Sequence, residues 1–123
     1  MRALVEQTQI RIEGYLNKLK TLYGDNFSIG LYKIMGGDFD ESWDICPEKD
    51  EILIGTQDML ISRALNRGYG TSRFRWPMDF ALLNNDSLWV LDEIQLMGDA
   101  FKTSTQLQGF RNIMALLKHE MIP

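Results

Sequence analysis

Apolar side chains recur at intervals of three and four residues near the start of the chain. The positions are Ile12, Tyr15, Leu16, Leu19, Leu22 and Tyr23. This spacing places them on one face of an α-helix. The turn residues Gly24, Asp25 and Asn26 follow directly and end the helix. The opening segment therefore predicts a helix with one apolar face.

Three apolar runs further along the chain predict strands. They cover residues 27–35, 51–56 and 87–91. The first is closed by Gly36 and Gly37, and the acidic stretch after it, which contains Pro47, predicts a loop. The second is nearly unbroken, as in a strand covered on both faces.

Helix-forming segments lie between and after these runs. Residues 58–66 predict a short helix that Gly68 and Gly70 end, and residues 73–77 predict irregular backbone. Strands that alternate with helices indicate an α/β fold, with a sheet of about three mainly parallel strands.

A last helix is predicted to start near Thr103, because Thr103 and Gln106 match the S/T-x-x-E/Q capping box. Its apolar stripe consists of Leu107, Phe110, Ile113, Met114 and Leu117. We expect this stripe to be core rather than a groove for a partner, since a chain of this size must bury an apolar face somewhere.

Composition bounds the class of protein. The chain has 123 residues, 45% of them hydrophobic and 24% charged, which suits one globular domain and excludes wholesale disorder. Its one cysteine, Cys46, excludes a disulfide-stapled scaffold, and its one histidine, His119, excludes a mechanism that needs two imidazoles. The first residues have no apolar run, and no stretch reaches the roughly 20 apolar residues of a membrane span. We therefore expect a cytoplasmic protein.

Charge is distributed unevenly beneath a net charge of -4. Residues 38–51 carry seven acidic side chains and one lysine, whereas residues 59–78 carry no acidic residue. The basic residues of that second segment are Arg63, Arg67, Arg73 and Arg75. Tyr69, Phe74 and Trp76 lie among these arginines, a mixture that can bind a phosphodiester backbone. The alternative is a solvated arginine loop partly neutralised by the acidic stretch.

Two further sites follow the predicted strands, where parallel α/β folds gather their functional loops. Asp92 and Glu93 come directly after residues 87–91, as in the second nucleotide-binding motif of ATPases. An acidic pair at a strand end is also common as a helix cap or a solvated turn. Gly55 and Thr56 could hold a phosphate oxygen at a helix start, or could simply cap that helix.

Several of these segments together carry a resemblance to a known family. Residues 55–70 read GTQDMLISRALNRGYG, and they are followed by FRWP at 74–77, LLNND at 82–86 and DEIQLMG at 92–98. This text closely resembles the helicase part of the CRISPR-associated helicase–nuclease of type I systems, a superfamily 2 DExH-type DNA helicase. Residues 1–8 also resemble that family's first nucleic-acid motif, and Gly36 and Gly37 resemble the next. The resemblance extends from Met1 to about Arg111.

The resemblance implies roles for individual residues. Asp92 would bind Mg²⁺ with ATP, Glu93 would act on the hydrolytic water, and Gln95 would contact the γ-phosphate or couple it to DNA. The residues expected along the track of the single strand are Arg2, Gly37, Thr56 and Arg63. Asp79 stands where many relatives have a histidine.

Parts of the family's pattern are missing from residues 1–123. The sequence has no Gly-Lys-Ser/Thr loop, no Ser-Ala-Thr coupling motif, no second RecA-like domain and too few histidines for the nuclease domain. We therefore expect a partial RecA-like three-layer domain that does not hydrolyse ATP by itself. The strand at 87–91 would then be an exposed edge that pairs in a homodimer, unless the fold rearranges or docks onto a partner.

Two functions follow. The first is a piece of the DNA helicase of type I CRISPR interference, with single-stranded DNA as its partner. The second is a non-enzymatic interaction protein or decoy, such as a phage-borne inhibitor of CRISPR defence. Its target would be the intact helicase–nuclease, the target-recognition complex or DNA.

Overall fold

A computed structural model describes residues 2–39, 42–85 and 87–121. The Met1, Asp40, Glu41 and Asp86 positions of the sequence patterns above lie outside the described residues. The chain divides into two compact units, Met1–Leu60 and Ile61–Pro123. Helices and a small sheet make the architecture α/β, as the alternation of segments predicts.

The first unit contains one long helix and the sheet. Helix α1 spans Arg2–Tyr23, and the strands are β1 (Gly30–Met35), β2 (Asp38–Phe39) and β3 (Glu51–Gly55). The sheet order is β2-β1-β3, with β1 and β3 parallel and β1 and β2 antiparallel. The helix and the first two predicted strands are thus confirmed. The predicted acidic loop also contains β2 and a short 3₁₀ helix, Ser42–Asp44.

Helix α1 packs on β1 and β3. It buries Val5, while Ile34 and Met35 are buried at the end of β1. Its predicted apolar face is only partly covered, since Leu16 is half-buried and Leu22 is exposed. The core of this unit therefore lies between the sheet and the first turns of the helix.

The second unit is helical. Helix α2 (Gln57–Ala64) follows β3 and crosses the boundary between the units, and it is followed by α3 (Trp76–Asn84), a 3₁₀ turn (Ile94–Leu96) and α4 (Asp99–Met121). Its buried apolar side chains are Ile61, Ala64, Leu83, Met97 and Leu107. The helix predicted at 58–66 is confirmed as α2. The irregular backbone predicted at 73–77 is confirmed for residues 73–75, which form turns, and is wrong for Trp76 and Pro77, which begin α3. Pro77 lies in the first turn of that helix, where proline is favoured.

The strand predicted at 87–91 is wrong. These residues form no ladder, and the side chains of Leu88 and Val90 are 91% and 81% exposed. The sheet therefore has one parallel pair and a two-residue antiparallel strand rather than about three mainly parallel strands. The strand edge on which the predicted homodimer depends is absent from this structure.

Helix α4 differs from its prediction in both its start and its buried face. It begins at Asp99, after Gly98 in a left-handed conformation, and Thr103 lies inside it with its hydroxyl donating to the Asp99 carbonyl oxygen. The predicted capping box is therefore wrong. Of the apolar stripe only Leu107 is buried. The exposed members are Phe110, Ile113, Met114 and Leu117. The prediction that this stripe is core fails for those four positions within this chain.

Candidate nucleic-acid interface

A buried ion pair forms the base of the candidate interface. Arg63 projects from α2 and Asp79 from α3, each side chain is 2% exposed, and Arg63 Nε lies 3.9 Å from Asp79 Oδ2. Arg63 Nη2 also donates to Thr71 Oγ1 at 2.8 Å and to the Tyr69 carbonyl oxygen at 3.2 Å. One guanidinium thus holds two helices and the loop between them.

This geometry changes the role of Arg63. The sequence places Arg63 on a DNA track, but its charge is already balanced by a carboxylate and its donors bind the loop. A guanidinium that is 2% exposed does not present itself to a phosphate backbone, so we leave Arg63 out of the proposed DNA contacts. Asp79 is the buried counter-ion of Arg63. No sequence pattern indicates this role.

Trp76 ties the loop of residues 65–75 to the start of α3. Its indole Nε1 donates to the carbonyl oxygens of Gly68 and Thr71, at 3.1 Å each. Gly68 is buried, and a Cβ there would come within 3.1 Å of Arg63 Cγ, so a side chain at this position would require its neighbours to shift by a few tenths of an ångström. Hydrogen bonds from the side chains of Arg63 and Trp76 therefore hold the loop at Gly68, Tyr69 and Thr71.

Two exposed arginines lie over the ring that fixes the loop. Arg67 Cζ is 5.6 Å and Arg73 Cζ is 6.0 Å from the centroid of Trp76. These distances suit cation–π contacts, which leave the outer donors of each guanidinium in solvent. Arg75, by contrast, is half-buried at the N-cap of α3. Arg67 and Arg73 are thus the predicted DNA-binding arginines that the structure brings together and exposes.

Two aromatic rings on the same loop are also exposed. Phe74 is 96% exposed and Tyr69 is 62% exposed. Their backbone is fixed nonetheless, because the Tyr69 N–H donates to Ser62 Oγ and turn hydrogen bonds from Arg75 to Ser72 and from Trp76 to Arg73 enclose Phe74. A rigid loop therefore carries exposed rings and exposed guanidinium groups together.

The predicted nucleotide residues form a different arrangement. Asp92 is exposed, and its Oδ1 accepts the backbone N–H of Glu93 at 2.9 Å. Glu93 is in a left-handed conformation with φ of 51°, and its carboxylate accepts a hydrogen bond from the Gln95 side-chain amide. Asp92 thus stabilises the turn in which it lies. This arrangement agrees with the alternative prediction for the acidic pair, a helix cap or a solvated turn.

The remaining predicted DNA contacts lie in the first unit. Arg2 is exposed on α1 and forms an ion pair with Glu6 at 3.7 Å. Gly37 makes the turn between β1 and β2 with φ of 77°, and the Thr56 carbonyl oxygen accepts the Leu60 N–H at the start of α2. Thr56 therefore lies at a helix N-terminus, which both the phosphate-binding and the helix-cap interpretations require.

No sequence pattern indicates a role for Arg111. Its guanidinium stacks 4.9 Å from the centroid of Trp89, and it donates to Asn84 Oδ1 at 3.0 Å and to Gln108 Oε1 at 3.3 Å. Burial lowers the pKa of this guanidinium. Together with the Trp89 indole, which donates to the Leu83 carbonyl oxygen, Arg111 fastens the 87–91 segment to α3 and α4. The two long-range partners, Trp89 and Asn84, leave no periodic trace in a sequence.

Within the described part of the chain, no three His, Cys, Asp or Glu side chains are grouped so that they could hold a metal ion. None of the helices in that part is long and apolar enough to cross a membrane. Comparison with protein-family models, curated proteins and solved structures returned no match to this chain.

Proposed function

We propose that this chain is part of a cytoplasmic ATP-dependent DNA helicase of type I CRISPR interference, and that it contacts single-stranded DNA through Arg67 and Arg73. The motif resemblance supports the family, and a parallel β1–β3 pair followed directly by α2 agrees with part of a RecA-like three-layer domain. The proposal does not depend on the wrongly predicted strand at 87–91.

The observation that carries the DNA contact is the pair of exposed guanidinium groups over one indole. No carboxylate among the described residues forms an ion pair with Arg67 or Arg73. Positive side chains collected on a fixed loop without their own counter-ions favour a polyanion, and release of its condensed ions drives binding. Arg75, Arg2, Gly37 and Thr56 remain proposed contacts on the strength of the resemblance.

Salt-dependent binding of single-stranded DNA tests this surface. Each phosphate neutralised contributes about 0.7 to the slope of log affinity against log salt for a single strand. Replacing Arg67 and Arg73 together by alanine should therefore lower the slope by about 1.4 and weaken binding at low salt. The matched control is Arg11→Ala with Lys18→Ala, which removes the same charge from exposed positions on α1. Equal losses in both double variants would show only a general effect of net charge and would contradict the proposed site.

The residues described around Asp92 do not fit a Mg²⁺–ATP site. One exposed carboxylate that accepts its neighbour's N–H, without a phosphate loop in this sequence, offers too few ligands for the metal and none for the phosphates. We therefore assign no catalytic step to Glu93 or Gln95 in this chain, and we propose that ATP hydrolysis requires elements outside it. Phosphate release with DNA and Mg²⁺ that disappears in Asp92→Ala would overturn this part of the proposal.

A second candidate function, a non-enzymatic interaction protein or decoy, is favoured by one observation. The exposed apolar side chains of α4 form a face that the described residues leave largely uncovered. Such faces are typical of protein contacts. A pull-down with the intact helicase–nuclease and with the target-recognition complex, followed by a DNA-degradation assay, separates the candidates. Inhibited degradation favours the decoy, and supported degradation favours the helicase part.

A further inference from the structure

We infer that Phe74 is a base-stacking platform, so that the interface selects single-stranded over duplex nucleic acid. The inference rests on the proposed DNA contact of Arg67 and Arg73. At 96% exposure, Phe74 has almost no packing role in the chain. It lies between Arg73 and Arg75 in a segment without acidic residues, on the loop that also carries the exposed guanidinium groups of Arg67 and Arg73.

The loop is organised before any ligand binds. Backbone hydrogen bonds from Arg75 to Ser72 at 2.9 Å and from Trp76 to Arg73 at 3.3 Å close successive turns around Phe74. The Trp76 indole and the buried Arg63 then hold the other side of the loop. A ring on a fixed backbone loses little conformational freedom on binding, which favours affinity.

The chemistry of the occupant follows from the two kinds of exposed group. Guanidinium groups bind phosphates on either a single strand or a duplex, but an aromatic face can stack only on a base that is not already stacked inside a helix. A single strand offers such bases, whereas a duplex hides them. The exposed guanidinium groups and the Phe74 ring together therefore favour a single strand over a duplex.

The test compares a labelled oligothymidylate with a hairpin duplex, using the full chain. Phe74→Ala should weaken oligothymidylate binding roughly 5- to 150-fold, the range for loss of one stacked base, and should leave duplex binding and the salt slope unchanged. Phe74→Leu keeps an apolar side chain without a π-face and should lose as much. Phe74→Trp should retain affinity, and its added emission should be quenched by the oligonucleotide but not by the duplex.

The outcomes separate this inference from the proposed function. Phe74→Ala that leaves both affinities unchanged, or lowers both equally, overturns the stacking role while the arginine contacts stand. Loss of binding in Phe74→Ala but full affinity in Phe74→Leu also overturns it, because apolar contact would then suffice. If neither nucleic acid binds the unaltered chain, the inference and the proposed DNA contact both fail. Because Phe74 is so exposed, unchanged circular dichroism is expected in every variant.

Discussion

Asp79→Ala removes the carboxylate that faces a buried guanidinium. Both side chains are 2% exposed, and Arg63 Nε and Asp79 Oδ2 are 3.9 Å apart. At such a separation, and with an effective dielectric constant near 20, their attraction is about 4 kcal/mol. Removing one partner of a buried pair costs about 3–5 kcal/mol, because the other charge is left buried. We therefore expect a loss of about 3–5 kcal/mol in the free energy of unfolding, a large share of the roughly 5–15 kcal/mol of a typical domain.

Urea denaturation followed by circular dichroism measures this loss. The control is Asp99→Ala, since the Asp99 carboxylate is fully exposed and its ion pair with Lys102 is a surface contact. Amide exchange adds a local measurement: residues 68–71 should lose protection in Asp79→Ala, because Arg63 holds the Tyr69 and Thr71 oxygen atoms.

Replacing both partners tests the cause of the loss. Arg63→Met with Asp79→Leu should recover much of the stability, because apolar side chains of similar volume need no counter-charge. The argument is refuted if Asp79→Ala is no less stable than Asp99→Ala, since the pair would then be solvated.

Two further predictions concern the sheet. Gly55→Ala should cost about 1–3 kcal/mol, because the new Cβ would collide with the Ile34 carbonyl oxygen across the parallel pair. Gly14→Ala, in open space on α1, should be neutral or stabilising in the same urea experiment, and equal effects would contradict the collision. The pKa of Glu51 is raised first by burial and then by the charges of Asp44 and Glu48, while Lys49 lowers it by a smaller amount. The contribution of Glu51 to stability is therefore full below its unfolded pKa and is lost as pH rises through its folded pKa. Glu51→Gln should therefore be more stable than the unaltered chain at neutral pH but not in acid, as thermal melts across pH would measure; a constant difference would contradict the titration.

Local pattern predicted the elements whose own hydrophobic periodicity matches the structure that they form. The helical period of α1 and the apolar runs of β1 and β3 indicated their structures correctly, although β1 begins at Gly30 rather than at residue 27. The run at 87–91 was equally apolar, but a strand needs a neighbour for its backbone groups. Here Trp89 is held by side-chain contacts with Leu83 and Arg111 instead, and the residues on either side of it face solvent.

The candidate interface was predictable in composition but not in geometry. The absence of acidic residues at 59–78 indicated this segment as a candidate, and Arg67 and Arg73 are exposed, as a binding surface requires. Nothing in the sequence distinguishes Arg63 from these two, because its counter-ion Asp79 comes from the next helix along the chain. Proline in a first helical turn was a usable signal for α3, so the error lay in the interpretation of Trp76 and Pro77, whereas residues 73–75 are irregular as predicted.

The left-handed backbone at Glu93 has a consequence for molecular coupling. A residue with a Cβ in this conformation is about 1–2 kcal/mol less favourable than in the right-handed or extended regions. A partner that draws residues 92–95 into an extended strand would release that energy on binding. That release would offset part of the cost of breaking the hydrogen bonds from the Glu93 N–H to Asp92 Oδ1 and from the Leu96 N–H to the Glu93 carbonyl oxygen. Residues 92–95 are therefore easier to extend than a turn of the same hydrogen bonding whose residues are all right-handed.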